Sequence, residues 1–145
     1  MGNIMQWLSA AIDYGVIGLL VLLSFIVVMI AVERWLCYRN IKVGAYTSRK
    51  RLELVLGRNL QVIGTVASSA PYIGLLGTVF GIMLTFYTIG VTDNIDTTAI
   101  MVSLSLALKA TAAGLIVAII AVVLYNFLSR ASRNILIEWD IHHEG

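Results

Sequence analysis

Three long apolar runs, Tyr14 to Val32, Tyr72 to Val91 and Ala99 to Phe127, leave few folds open to this chain. Each reaches the roughly 20 residues that a helix needs to cross a hydrocarbon core of about 30 Å. Of the 145 residues, 59% are hydrophobic and 12% charged, whereas soluble domains carry roughly 25% charged residues. The expected fold class is therefore all-α, a polytopic membrane protein with three transmembrane helices. A β-barrel is disfavoured, because its strands would show about ten-residue alternating segments in place of solid apolar runs. The first run is also too long for a secretory signal core, and no Lys or Arg precedes it. It is expected to remain as a span.

The basic residues set the orientation. Arg34, Arg39, Lys42, Arg49, Lys50, Arg51 and Arg58 lie between the first two runs, and Arg130 and Arg133 follow the third. The connection after the second run has no Lys or Arg but carries Asp93 and Asp96. By the positive-inside rule the first connection and the C-terminus are expected to be cytoplasmic and the N-terminus outside. The expected organisation is an outer-face interfacial helix over 1–13, with Ile4, Met5, Trp7, Leu8 and Ile12 as its apolar residues. Transmembrane helices follow over 14–32, 69–91 and 99–128, with a basic cytoplasmic helical segment over 33–68. A turn over 92–98 faces outward, and a cytoplasmic tail covers 129–145. Trp7 and Tyr14 on one side, with Trp35 and Tyr38 on the other, suit the two interfaces of the first span. Leu52, Leu54, Val55, Leu56 and Leu60 suggest an amphipathic helix whose basic face meets water or anionic lipid headgroups.

Enzymatic chemistry has little to work with. No phosphate-binding loop, zinc-ligand cluster or nucleophile motif occurs, so no catalytic residue, cofactor or metal site is expected. Cys37 is the sole cysteine and reads as a reduced apolar filler; His142 and His143 read as solvated. The Arg49–Arg51 run is a topological signal beside a span, and no nucleic-acid partner is expected.

Two spans carry polar seams. In the second, SSAPYIGLLGTVFGIMLTFYTIGVT, Pro71 is placed to start or kink the helix. Gly74, Gly77 and Gly81 allow close helix approach, the last two as a GxxxG. Thr78, Thr85 and Thr92 recur every seven residues with Thr88 beside them, forming one hydroxyl-bearing seam. A lone threonine in an apolar helix often bonds the carbonyl one turn back, but a whole seam suits a packed or pore-facing surface. In the third span, Ala107, Thr111, Gly114, Ala118 and Ala121 make a face of small side chains. Lys109 interrupts this span, at a cost of about 3 kcal/mol or more for a charge at the helix centre. It stands about 160° around the helix from Thr111, so the two cannot both point straight into one cavity. A carboxylate, backbone carbonyls or Ser105 could partner it. No Asp or Glu lies inside a span, so a carboxylate partner would come from another chain.

The stretch SSAPYIGLLGTVFGIMLTF followed by ALKATAAGLIVAIIAVVLYNF resembles the core of the ExbB/TolQ/MotA family of proton-channel subunits, nearest to its short ExbB-type members. The resemblance covers roughly residues 66 to 128. It implies an inner-membrane homo-oligomer, typically a pentamer, around the single-span helices of an ExbD-like partner. Such a complex uses the proton-motive force and passes energy to a TonB-like protein for transport across the outer membrane. The family's two pore threonines match Thr78 and Thr111, and its proton-carrying aspartate lies on the partner helix. Three departures stand out. The family's glutamate position holds Leu106, a usual proline is Ile120, and the cytoplasmic connection is short. Lys109 lies about 60° around from Leu106, and its charge cannot replace an acidic relay. At a subunit interface or partner contact it would find a counter-charge. Two alternatives stay open: a TolQ-like subunit maintaining the outer envelope, and a non-conducting structural assembly factor. A flagellar stator would have four spans and a large cytoplasmic domain.

Overall fold

A computed structural model describes residues 2–93 and 96–144. The helices in chain order are α1 (Gly2–Asn40), α2 (Arg49–Gly57), α3 (Leu60–Thr92) and α4 (Thr97–Glu144), with a 3₁₀ turn at Val43–Ala45 between the first two. Trp7–Asn40, Leu60–Val91 and Thr97–Glu144 are each long and apolar enough to cross a membrane. Every apolar run thus lies within a longer helix. The first dozen residues, expected as a separate helix, are the opening turns of α1. No proline interrupts the passage, and Gly15 and Gly18 only weaken it. The expected roles of Ile4, Met5 and Thr92 fall on side chains outside the described residues. Pro71, expected to start or kink the second span, lies well inside α3, which begins at Leu60.

The connections have local causes. Asn59 and Asp93 adopt left-handed backbone (φ 65 and 53), a conformation that short polar side chains tolerate best. Asp93 follows the last turn of α3, its N–H bonded to the Ile89 carbonyl at 3.0 Å. Asp96 then caps α4: its carboxylate accepts from the Thr98 N–H at 3.2 Å and its carbonyl from the Ile100 N–H at 3.1 Å.

The chain forms two compact units. The first comprises residues 1–23 and 68–118. Its buried positions are mostly small: Ala70, Gly74, Gly77, Thr78, Ala107, Ala110 and Gly114. Small residues are what helices need to associate in lipid, where close contact replaces hydrophobic burial as the driving force.

The second unit comprises residues 24–67 and 119–145. Larger side chains fill it, with Leu52, Leu56, Ile63 and Leu128 almost fully buried. Leu52 and Leu56, one turn apart, face inward from α2, whereas Leu54, expected on the same face, is 76% exposed. Arg34, read from the sequence only as part of the basic connection that sets orientation, is 4% exposed. Its Nη1 donates to the Val55 carbonyl at 2.6 Å and its Nη2 pairs with Glu33 at 2.6 Å. One turn on, the Tyr38 hydroxyl donates to the Leu56 carbonyl. Both acceptors lie in the last turn of α2, where carbonyls lack i+4 partners; the Val55 carbonyl also accepts from the Arg58 N–H at 3.4 Å. The cation also sits at the negative end of that helix. All three groups lie past the apolar run of α1. There the Arg34 hydrogen bond holds the Glu33 carboxyl below its usual range, and burial pushes the Tyr38 phenol above its own. Replacing Arg34 by methionine should undock α2 at a cost of about 1.5–3 kcal/mol, typical of hydrogen bonds to charged groups. Tryptic cleavage at Arg49–Arg51 in detergent should accelerate at least tenfold; unchanged cleavage would rule the capping role out. By contrast the Arg49–Asp140 pair, 3.1 Å apart and half exposed, adds little.

Candidate functional site

The site is built where α3 and α4 run antiparallel at close range in the first unit. The closeness comes from glycine. A Cβ on Gly114 would lie 2.6 Å from the Ala70 carbonyl oxygen and 2.9 Å from the Gly74 Cα. One on Gly74 would lie 2.7 Å from the Ala110 carbonyl oxygen. Further along α3, Gly77 and Gly81 face Ala110 and Ala107, where an added Cβ would come within 3.0 and 2.8 Å of the alanine methyls. All four glycines of the expected packing set therefore meet α4 or lie on it.

This approach brings Thr78 and Thr111 together. Thr78 is 7% exposed. Its hydroxyl donates across the helices to the Ala107 carbonyl at 2.9 Å, with the Gly74 carbonyl on its own helix at 3.3 Å. The Thr111 hydroxyl hydrogen-bonds Thr78 and reaches the Gly74 carbonyl at 3.4 Å. Each hydroxyl has one proton to give and can accept others. The pair consequently has two complete arrangements. In one, Thr78 donates to Ala107 and Thr111 to Thr78. In the other, Thr78 donates to Thr111 and Thr111 to Gly74.

The four-threonine seam divides. Thr85 and Thr88 each donate to the carbonyl one turn back, Gly81 and Leu84, at 2.8 Å. They line a separate groove of about 740 Å³, which neither Thr78 nor Thr111 lines. Leu106 and Lys109 line it too, so the residue at the family's glutamate position and the lone lysine share one surface. Among the described residues Lys109 makes no ion pair and no hydrogen bond to Ser105. The sequence reading missed the groove, because its other wall comes from Ser9 to Ile17 of α1. Asp13, the one acidic residue there, was the available signal. Elsewhere Cys37 is half-buried and free, and no group of metal-ligating side chains occurs among the described residues.

The sequence pattern of the MotA/TolQ/ExbB proton channel family matches residues 40–141. An ExbB-like biopolymer transport protein of Helicobacter pylori is 54% identical over 132 residues, covering 91% of this chain and 88% of that protein. The biopolymer transport protein ExbB of Aquifex aeolicus is 50% identical over 139 residues, 96% of this chain and 94% of its own length. A second Helicobacter pylori protein, also named ExbB, is 44% identical over 131 residues and 90% of both chains.

Proposed function

Because the chain belongs to the MotA/TolQ/ExbB proton channel family, we propose that it is the ring-forming, ExbB-like subunit of a motor driven by the proton-motive force. In this reading several copies, five by family resemblance, close around the single-span helix of an ExbD-like partner in the bacterial inner membrane. The complex hands energy to a TonB-like protein for transport across the outer membrane. No enzymatic step and no cofactor is assigned.

The observation that carries the reading is the Thr78–Thr111 hydroxyl pair. It joins α3 to α4 at the glycine crossing and has two interchangeable proton arrangements. An acid on the partner helix could give a proton to such a pair and recover one, as a water wire would. The apolar runs 14–32, 72–91 and 99–127 contain no Asp or Glu of their own, which favours a titrating group carried by the partner helix. Each proton crossing releases about 2.3 kcal/mol per 100 mV, enough to bias a step of the inner helix. The ExbB names of relatives that match nearly end to end favour this assignment over a TolQ-like subunit. Proteoliposomes holding this chain with an ExbD-like partner should carry a proton current under an imposed potential. The current should be absent with either protein alone. No current from the complex would favour a non-conducting assembly factor.

A further inference from the structure

Two charges interrupt otherwise uncharged lengths of helix, Asp13 on α1 and Lys109 on α4. Both line the groove of about 740 Å³ in the first unit. One contact fixes their levels: a Cβ on Gly77 would lie 3.0 Å from a Val16 methyl and 3.0 Å from the Ala110 methyl. From there the groove runs back along α1 to Ser9, back along α4 to Asp96 and forward along α3 to Ile89. α1 and α4 therefore point the same way. Asp13 comes three residues before Val16 and so stands level with Ala107, three before Ala110. Lys109 starts two residues beyond that level, about 3 Å along the helix. Helical side chains lean towards the N-terminal end, so its four-carbon stem carries the ammonium back towards the carboxylate. Asp96 is thirteen residues from Lys109, about 20 Å along α4, and the α3 wall carries no charge.

The two charges also share a position along their helices. After Asp13, α1 has nineteen uncharged residues to Val32; after Lys109, α4 has twenty to Ser129. These are about 28 and 30 Å of helix, the thickness of a hydrocarbon core. Asp13 and Lys109 thus mark one edge of that layer, and Glu33 and Arg130 the other. A charge bordering lipid is retained where it has a partner. The sequence points to a carboxylate from another chain, whereas the fold sets one on the neighbouring helix. Among the described residues the two make no direct ion pair. The groove between them has room for water, which bridges charged groups nearly as well as direct contact does.

We propose that Asp13 is the counter-charge of Lys109, and that this water-bridged pair, at the edge of the hydrocarbon layer, fastens α1 to α4 across the groove. Val16 against Gly77 is the apolar part of that attachment. The charge pair is its polar part, one turn further along α1. As a unit the pair is neutral, so Lys109 needs no acid from a partner chain. The pairing depends only on the register of α1 against α4, and it stands or falls apart from the identity of the motor's partner.

The test is amide hydrogen exchange over residues 7–16 of the full chain in lipid nanodiscs. Asp13→Asn and Lys109→Met should each speed exchange at least tenfold, and the double variant should exchange no faster than the faster single one. The swapped pair, Asp13→Lys with Lys109→Asp, should restore protection to within threefold of wild type. A silent Asp13→Asn, or effects that multiply in the double variant, would show that the two charges act separately and would overturn the proposal. A second measurement asks whether the pair lies within one chain. Asp13→Cys with Lys109→Cys, in a Cys37→Ser background that removes the sole native thiol, should be joined by a short bis-maleimide into a monomer-sized product. A ladder of crosslinked dimers would put the counter-charge on a neighbouring copy, and no product would put the two positions out of reach. Either result overturns the pairing.

Discussion

Thr78→Val should abolish the proton current of the reconstituted complex while leaving its assembly intact. Valine keeps the shape of threonine and removes its hydroxyl, so the glycine crossing should still close. What disappears is the bond to the Ala107 carbonyl and the partner of Thr111. The stability loss should be modest, about 1 kcal/mol for one hydrogen bond. The functional loss should be complete, because a single remaining hydroxyl at Thr111 has no second arrangement to switch to. A current within tenfold of wild type, measured in proteoliposomes with the same partner, would show that the pair is only a clasp. Thr111→Val should also abolish the current, because it removes the hydroxyl with which Thr78 exchanges. Thr85→Val should leave the current largely unchanged, since its hydroxyl is occupied by its own helix.

Gly114→Ala should produce a large loss of stability. The new methyl would meet backbone, the Ala70 carbonyl and the Gly74 Cα, which cannot rotate away like a side chain. The helices must separate, at about 1–3 kcal/mol for an overpacked contact, and the reach from Thr78 to Ala107 lengthens with them. Thermal unfolding in detergent should therefore fall sharply and the proton current should fall with it. Gly15→Ala is the contrast, because nothing lies within 4 Å of its added Cβ. Alanine there should be neutral or raise stability by up to about 1 kcal/mol through helix propensity. Equal losses at both positions would show that flexibility, not contact, is what the glycines supply.

The sequence makes the helical spans legible because lipid demands long apolar runs, and runs are local. It also makes Thr78 and Thr111 legible, through the motif around each. Their contact is less so: it depends on a helix crossing that Gly74 and Gly114 permit but do not specify. Helix ends were misread for a physical reason. Hydropathy marks where lipid would stop, and α1 and α4 continue past that point because nothing in their flanks breaks a helix. The seam of four threonines was over-read, since seven-residue spacing cannot tell a hydroxyl aimed at a neighbour from one folded back on its own helix. Arg34 was hidden most thoroughly, because its burial depends on α2 lying across α1, and nothing local in the sequence announces that.

That last arrangement has a mechanical corollary. A nine-residue helix is too short to persist unaided in water, so α2 depends on its docking: the buried Leu52 and Leu56 and the bonds from Arg34 and Tyr38. Those two side chains grip adjacent carbonyls from a single stripe of α1. Because both bonds come from one side of α1, a rotation of that helix would strain them together. The short helix is accordingly tied to the rotational setting of the helix that carries both side chains.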